Sequence, residues 1–242
     1  MTDQLNGRAT SLPERDAPGL FTGIVFDLDG VLTDTEHLWE ENWTGFSGRH
    51  QRAWAPANTQ AMMGMSMPET ARYLREHTDS SDDLEEIAIA LTDWMIEALH
   101  TGRAEINPGA ADLVVAVASR APVALASSAP RRLIDAVLES TGLLPYFTAT
   151  VSSEEVPRGK PDPGVYVEAA RRLRREPTQC LGIEDSSNGI RSALAAGLTV
   201  IALPNKLYPP KAEILSQCAA VASSLAEVQA ALLSRLAHAP AM

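Results

Sequence analysis

Cysteine is nearly absent from this sequence, which has two cysteines, Cys180 and Cys218, among 242 residues. They lie in unrelated contexts, so the sequence predicts neither a disulfide scaffold nor a cysteine metal site. Positive charge is also scarce, because 20 lysines and arginines face 31 aspartates and glutamates, which gives a net charge of −11. Nucleic acid and anionic membranes attract basic surfaces, so neither is expected as a partner.

Long apolar runs are missing as well. No stretch approaches the roughly 18 apolar residues that a membrane helix needs, and residues 1–19 contain no apolar segment that would indicate a secretory signal. Residues 1–19 mix charges with prolines and show no periodicity, which predicts a mobile tail. We expect a cytoplasmic protein that is a monomer or a weak homo-oligomer. Apolar residues still make up 45% of the chain, enough for a packed core.

One short apolar segment ends abruptly in carboxylates. Residues 24–26 (Ile-Val-Phe) are followed by Asp27, then Asp29 and Gly30. An apolar run without polar alternation is typical of a strand buried on both faces of a parallel sheet, and ligands bind at the carboxyl ends of such strands. Two close carboxylates indicate a metal or an acid–base pair, because they otherwise repel each other. A solvated turn is the alternative; an EF-hand loop would need its glycine at position six, not four.

The rest of the chain divides into two regions with different patterns of apolar residues. Residues 36–103 carry apolar residues at helical spacing and no strand pattern, which predicts an insertion of about four helices. After residue 108, strands and helices alternate, as in a doubly wound α/β layer. The predicted strands are 21–27, 123–128, 148–152, 180–184 and 199–203, and the predicted helices are 110–119, 131–140, 163–174, 188–196 and 223–236.

Polar residues of complementary kinds follow four of the predicted strands. If the strands are parallel, these residues meet at one edge of the sheet. Each is weak evidence alone, since Lys160 could be a surface lysine and Ser127 could cap a helix. Together they supply carboxylates for a divalent cation and a hydroxyl and an ammonium for an anion. The set consists of Asp27, Asp29, Ser127, Ser128, Lys160, Glu184 and Asp185.

In this order these motifs resemble the four motifs of the haloacid dehalogenase-like (HAD) superfamily, and in particular its β-phosphoglucomutase-like phosphatases. The resemblance is carried by Asp27-x-Asp29-Gly-x-x-x-Asp34-Thr35, Ser127, Lys160-Pro161 and Glu184-Asp185-Ser186, and it covers about residues 20–235. It implies an α/β fold, with a Rossmann-like parallel sheet of order 5-4-1-2-3 and an inserted helical cap. The catalytic core would then comprise residues 20–35 and 104–236, and the cap residues 36–103.

The resemblance also implies phosphoryl transfer through an aspartyl-phosphate. Asp27 would be the nucleophile and Asp29 the general acid and base. Ser127, Ser128 and Lys160 would bind the phosphoryl oxygens. Mg2+ would be the cofactor, bound by Asp27, the backbone carbonyl of Asp29, and Asp185, with Glu184 in support or as a further ligand. This assignment agrees with the chemistry, because phosphoryl transfer depends mainly on positioning and on cationic stabilisation.

The expected reaction is hydrolysis of a small phosphorylated metabolite, most plainly a sugar phosphate. The dehalogenases and phosphonate-cleaving members lack the second aspartate, so Asp29 disfavours both. A sugar phosphomutase is the alternative, but Met67 stands where the mutases carry an arginine for the distal phosphate. A catalytically inactive binding relative is a third reading, disfavoured by the intact set. The predicted substrate contacts are Gly64, Met65, Ser66, Met67 and His37; packing between cap and core, or a surface histidine, would explain the same residues.

Overall fold

A computed structural model describes residues 21–233 and residue 236, so the tail predicted over residues 1–19 lies outside the described part of the chain. Its main element is a six-stranded sheet in which each neighbouring pair of strands is parallel. Numbered in chain order with the two short strands described below, its members are β1 (Gly23–Phe26), β4 (Val123–Ser127), β5 (Ala149–Ser152), β6 (Cys180–Glu184), β7 (Thr199–Ala202) and β8 (Ala220–Val221).

The strand order is β5-β4-β1-β6-β7-β8, which confirms the predicted α/β class with a Rossmann-like parallel sheet. Counted along the chain, the first five strands of this sheet follow the order 3-2-1-4-5. This is the implied order 5-4-1-2-3 read from the opposite edge. The difference is β8, a sixth strand of two residues at the edge, which the resemblance did not predict.

Strand β1 lies at the centre of the sheet and is buried on both faces. Ile24 and Phe26 belong to the hydrophobic cluster on one face, and Val25 belongs to the cluster on the other. Period-two alternation therefore explains why the segment is apolar throughout. The covering helices are α5 (Ala110–Ala118), α6 (Arg131–Ser140), α7 (Gly164–Arg172), α8 (Ser187–Ala195), α9 (Ala212–Leu215) and α10 (Leu225–Leu233).

Four further helices lie between β1 and α5 in the chain: α1 (Glu36–Arg49), α2 (Pro56–Met62), α3 (Met67–Thr78) and α4 (Leu84–His100). They have a hydrophobic cluster of their own, which includes Trp43, Leu74 and Leu91. The chain enters and leaves this group through β2 (Thr33–Asp34) and β3 (Glu105–Ile106), which pair antiparallel. None of the described helices is both long and apolar enough to cross a membrane.

The edge strand β5 is covered by two arginines. The guanidinium groups of Arg131 and Arg172 both donate to the backbone carbonyl of Thr150, and both pair with the Glu155 carboxylate. These contacts satisfy an edge carbonyl that would otherwise be free to pair with another chain.

Candidate active site

The parallel sheet places three of the sequence-predicted groups at one edge. Strand β1 pairs with β4 on one side and with β6 on the other. Asp27, Ser127 and Glu184 stand at or directly after the carboxyl ends of these neighbouring strands. The Asp27 backbone N–H donates to the Ile183 carbonyl, 3.1 Å away, which extends the ladder up to the carboxylate. The predicted convergence of strand ends follows from this topology.

Lys160 reaches the same edge from the loop before α7. Its side chain is only 1% exposed, and its Nζ lies 2.8 Å from Asp27 Oδ1 and 2.7 Å from Glu184 Oε1. Burial alone would lower the pKa of Lys160, but the two carboxylates outweigh burial and raise the pKa above its ordinary value. Lys160 is therefore a charged ammonium inside the protein, so it is no surface lysine.

Asp27 is held in a defined orientation. Its Oδ1 accepts hydrogen bonds from the Leu28 backbone N–H and from Lys160, both at 2.8 Å. Burial raises the pKa of Asp27 well above its ordinary value, the charge of Glu184 raises it further, and Lys160 offsets these effects only in part. One lysine thus does not compensate the carboxylates gathered here, and a further positive charge would stabilise the ionised form of Asp27.

Glu184 is fully buried, and both of its oxygens are engaged. Oε1 accepts from Lys160 and from the Tyr166 hydroxyl at 2.6 Å, and Oε2 accepts from the backbone N–H groups of Asp185 at 3.1 Å and Ser186 at 3.3 Å. The first turn of α8 can lie against this carboxylate because residue 189 is glycine. A Cβ there would lie 1.9 Å from Glu184 Oε1. These contacts favour a supporting role for Glu184 over direct coordination of a metal.

The carboxylates of Asp27, Glu184 and Asp185 form a cluster in which Asp27 and Asp185 fit a divalent cation, with Glu184 beside them. Each offers an oxygen within 4.8 Å of those of the other two, and all three residues are buried. Asp185 Oδ2 is buried and has no hydrogen-bond partner among the described residues. Burial raises the pKa of Asp185 well above its ordinary value. A hard oxygen-ligand cation such as Mg2+ would satisfy the orphaned oxygen and the excess negative charge together.

Gly30 adapts the loop after β1 to this arrangement. Its φ of +77° lies in the left-handed region that favours glycine. A Cβ on this residue would also lie 2.0 Å from Asp185 Oδ2. The turn and the close approach of the backbone to Asp185 both require glycine here.

Asp29 is oriented apart from the three clustered carboxylates. Its Oδ1 accepts hydrogen bonds from Thr35 Oγ1 at 2.5 Å and from Trp39 Nε1 at 3.0 Å. The Asp29 carboxylate does not belong to the cation-binding group in the described structure, so a metal role for Asp29 would fall to its backbone carbonyl. Asp27 and Asp29 nevertheless line one shared cavity.

The two predicted hydroxyls have different partners. Ser127 is completely buried, and its Oγ accepts a hydrogen bond from the Ala129 backbone N–H at 3.0 Å, so its own proton is free to be donated. Ser128 Oγ instead donates to the Gly64 carbonyl at 2.8 Å. Ser128 therefore joins the core to the loop between α2 and α3.

The cavity over the aspartates has an empty volume of about 590 Å3, part of it open to solvent. Its wall toward α1–α3 is apolar and rich in sulfur, formed by Trp39, Trp43, Met62, Met63, Gly64, Met65 and Met67. The charged residues lining it, within the described ranges, are all acidic: Asp27, Asp29, Glu36 and Asp185. Such a wall suits an uncharged substrate body.

Two residues predicted to contact substrate do not line this cavity. His37 is about half exposed, pairs with Asp34 at 3.6 Å, and lies in a neighbouring groove. Helix α1 turns Glu36 and Trp39 toward the cavity instead, and a contact between His37 and the substrate stays a prediction. Ser66 hydrogen-bonds to Glu69 Oε2 at 2.5 Å at the start of α3.

Four residues of this site were missed by the sequence analysis. Burial, together with the charges of Asp29 and Asp34, raises the pKa of Glu36 to about 7, although in sequence Glu36 is only an acidic residue at the start of a helix. Thr35 was noted as part of a motif without a role. Trp39 and Tyr166 fall on the buried stripes of α1 and α7, where sequence alone reads them as core.

Comparison with known proteins agrees with this geometry. A sequence model of haloacid dehalogenase-like hydrolases matches residues 21–197. The chain is 30% identical over 176 residues to a phosphorylated carbohydrates phosphatase from Thermotoga maritima, covering 72% of this chain and 81% of that protein. It is 28% identical over 208 residues to a bifunctional riboflavin kinase/FMN phosphatase from Arabidopsis thaliana, covering 85% of this chain. The chain spans about half, 54%, of the length of that bifunctional protein.

Among solved structures, CbbY from Rhodobacter sphaeroides in complex with phosphate has a similar fold. The TM-score is 0.76 at 24% sequence identity, over 86% of this chain and 96% of that chain. At this identity the likeness concerns the fold and carries no substrate assignment.

Proposed function

Because the chain belongs to the haloacid dehalogenase-like hydrolase family, we propose that it is a Mg2+-dependent phosphatase that hydrolyses a small organic phosphate monoester, of the sugar phosphate class, through an aspartyl-phosphate. The observation that carries this proposal is the buried pair of Lys160 and Asp27, beside an Asp185 oxygen that has no hydrogen-bond partner among the described residues. A carboxylate that is fixed, buried and short of positive charge is suited to receive a phosphoryl group together with a cation.

Asp27 and Asp185 would hold the cation, with Glu184 fixing both Lys160 and the backbone of residue 185. When bound, the cation would neutralise charge on the phosphoryl oxygens. Lys160 keeps Asp27 oriented through its 2.8 Å contact with Oδ1. The Ser127 hydroxyl, whose proton is not engaged by Ala129, can donate to a phosphoryl oxygen.

In the first step a carboxylate oxygen of Asp27 bonds to phosphorus while the bond from phosphorus to the ester oxygen breaks. Asp29 gives its proton to the leaving oxygen. In the second step water attacks phosphorus and the bond to Asp27 breaks. The proton of the water passes to Asp29, and inorganic phosphate is released.

We also propose that α1–α4 form a cap that moves relative to the sheet. Hydrogen bonds join its α2–α3 side and α1 to the core: Ser128 Oγ to the Gly64 carbonyl, Asn188 Nδ2 to the Met63 carbonyl at 2.9 Å, and Tyr208 OH to Glu40 at 2.8 Å. Leu38, Met95 and Ala98 of α1 and α4 instead belong to the hydrophobic cluster of the sheet, so we place the hinge there and the opening at the hydrogen-bonded side. Hydrogen bonds of this kind exchange readily with water, which supports opening for substrate entry and product release.

A mutase is disfavoured by the same cavity. A sugar bisphosphate would bring a second phosphate group toward a wall of methionine and tryptophan side chains. Within the described ranges, the charged residues lining that wall and its floor are all acidic.

The test is release of phosphate from p-nitrophenyl phosphate by the wild type, Asp27→Asn and a matched control, Asp112→Asn, whose residue is exposed on α5. We expect wild-type activity with Mg2+, none after EDTA, recovery on adding Mg2+ back, and none in Asp27→Asn. Asp112→Asn should behave like the wild type. Substantial activity in folded Asp27→Asn would exclude Asp27 as the nucleophile, and activity without metal would exclude the Mg2+ requirement.

A further inference from the structure

Asp29 receives both of its side-chain hydrogen bonds on one oxygen. Thr35 Oγ1 donates to Oδ1 at 2.5 Å, and Trp39 Nε1 donates to the same atom at 3.0 Å. Because no described side chain donates to Oδ2 and Oδ1 accepts twice, Oδ2 is the oxygen left to carry the proton that is exchanged with substrate. The two donors therefore fix both the plane of the carboxyl group and the identity of its reactive oxygen.

The two donors flank the first turn of α1: Thr35 is its N-cap residue, and the Trp39 backbone N–H donates to the Thr35 carbonyl at 3.0 Å. The Thr35 hydroxyl lies 3.2 Å from the Thr33 hydroxyl, which in turn reaches the Leu28 carbonyl at 3.3 Å, so Thr35 is tied to the loop after β1. Trp39 lies one turn into α1 and belongs to the group of four helices. The hydrogen bonds of the Asp29 carboxyl thus join the loop after β1 to α1.

Stacking fixes the position of the Trp39 ring. It lies on the ring of Trp43 with centroids 5.9 Å apart and planes 28° apart, and Trp43 packs on Trp54 at 6.5 Å. The stack fixes the plane of the Trp39 ring relative to α1, and the hydrogen bond to Asp29 fixes the direction of its N–H. Any displacement of α1 from the sheet would withdraw the donor from Asp29.

We propose that Trp39 is a positioning residue for the general acid: it orients the Asp29 carboxyl for proton transfer when α1 lies against the sheet edge. The proposal rests on the proposed phosphatase mechanism. It gives a role to the Trp39 N–H, which stands in a wall of methionine and tryptophan side chains. It also links closure of the site to the step in which the leaving oxygen is protonated.

The neighbouring tryptophan supplies a matched control. Trp43 lies one helical turn along α1 in the same stack, and its buried Nε1 has no hydrogen-bond partner among the described residues. Changing either tryptophan to phenylalanine removes the same atoms from the same stack. Only Trp39→Phe removes a hydrogen bond to Asp29.

The experiment compares kcat for two esters of similar shape, p-nitrophenyl phosphate and phenyl phosphate. The leaving group of p-nitrophenyl phosphate is a weakly basic phenolate that gains little from protonation. The leaving group of phenyl phosphate is more basic, so its departure depends on proton donation by the general acid. The measured quantity is the ratio of kcat for p-nitrophenyl phosphate to kcat for phenyl phosphate. Since general acid catalysis contributes about 10²–10⁴-fold, we expect Trp39→Phe to raise this ratio about tenfold. Asp29→Asn should raise it further, and Trp43→Phe should leave it unchanged.

Thr35→Val provides a second variant, which removes the other donor to the same oxygen and should also raise the ratio. An equal loss on both esters in Trp39→Phe, or a ratio that rises equally in Trp43→Phe, would overturn the positioning role. A wild type that hydrolyses neither ester refutes the phosphatase itself, whereas an active wild type with unchanged ratios refutes only the role of Trp39.

Discussion

Replacing Gly189 by alanine tests how tightly α8 is packed against the site. Gly189 lies in the first turn of α8, and a Cβ there would fall 1.9 Å from Glu184 Oε1 and 2.0 Å from Oε2. Non-bonded heavy atoms normally approach to about 3.5 Å. The carboxylate would therefore have to move by more than 1 Å.

Glu184 cannot make this movement freely. Its carboxylate is fully buried and accepts hydrogen bonds from Lys160, Tyr166 and two backbone N–H groups. Disrupting a buried ion pair costs about 3–5 kcal/mol, and the alanine regains about 1 kcal/mol of helix propensity. We expect Gly189→Ala to lose about 2–4 kcal/mol of unfolding free energy as the difference of these terms.

Urea denaturation followed by circular dichroism measures this loss, with Gly45→Ala as the control. Gly45 is an exposed helical glycine of α1 whose Cβ would meet nothing within 4 Å. Its replacement should stabilise the protein by up to about 1 kcal/mol. Equal stability of the two variants would refute the packing of α8 against Glu184, and full phosphatase activity in Gly189→Ala would refute the importance of the Glu184 position.

Two further predictions concern charge. Because burial raises the pKa of Asp185 in the folded state, its ionised form opposes folding above the unfolded pKa. Metal-free Asp185→Asn should therefore have a higher Tm than the wild type at pH 7, while Mg2+ should raise the Tm of the wild type only. Scanning calorimetry with and without Mg2+ measures both, and a destabilised metal-free variant would contradict the first.

Burial would raise the pKa of Glu155, but the Ser152 N–H and the two arginines at β5 lower it to about 2. A lowered pKa in the folded state stabilises the protein at pH values above the unfolded pKa of about 4.3. This stabilisation is lost as the pH falls toward 2. Glu155→Gln should cost about 1 kcal/mol at pH 7, because part of the interaction is screened by solvent, and the difference should vanish near pH 2. A pH-independent difference in urea denaturation would show that the effect is not one of charge.

The regular elements of the core could be predicted from local signals. Helix α6 and strand β6 occupy the predicted residues 131–140 and 180–184, because each combines a clear apolar period with a defined stop. Residues 203–222 gave no such signal. They contain α9 and β8, which are four and two residues long and too short for periodicity to register.

The site could be predicted only as far as its backbone positions. Strand ends fix where Asp27 and Asp185 lie, because parallel topology gathers them, and Lys160 joins them from the loop before α7. Which side of α1 faces the cavity depends on tertiary packing, so the sequence did not identify Glu36 and Trp39, which line the cavity. The hydrogen bond of Tyr166 to Glu184 could not be predicted for the same reason. An aromatic residue on a buried helical stripe has the same sequence pattern whether or not it has a buried polar partner.

The central claim is that the Asp27 carboxylate becomes covalently phosphorylated during turnover, and rapid acid quench measures this directly. Wild-type protein with Mg2+ is mixed with p-nitrophenyl phosphate carrying ³²P and quenched within the first turnover. We predict acid-stable, hydroxylamine-labile label on the peptide that contains Asp27, and none on Asp27→Asn. Release of labelled phosphate without any label on the protein, or label on another peptide, would contradict it.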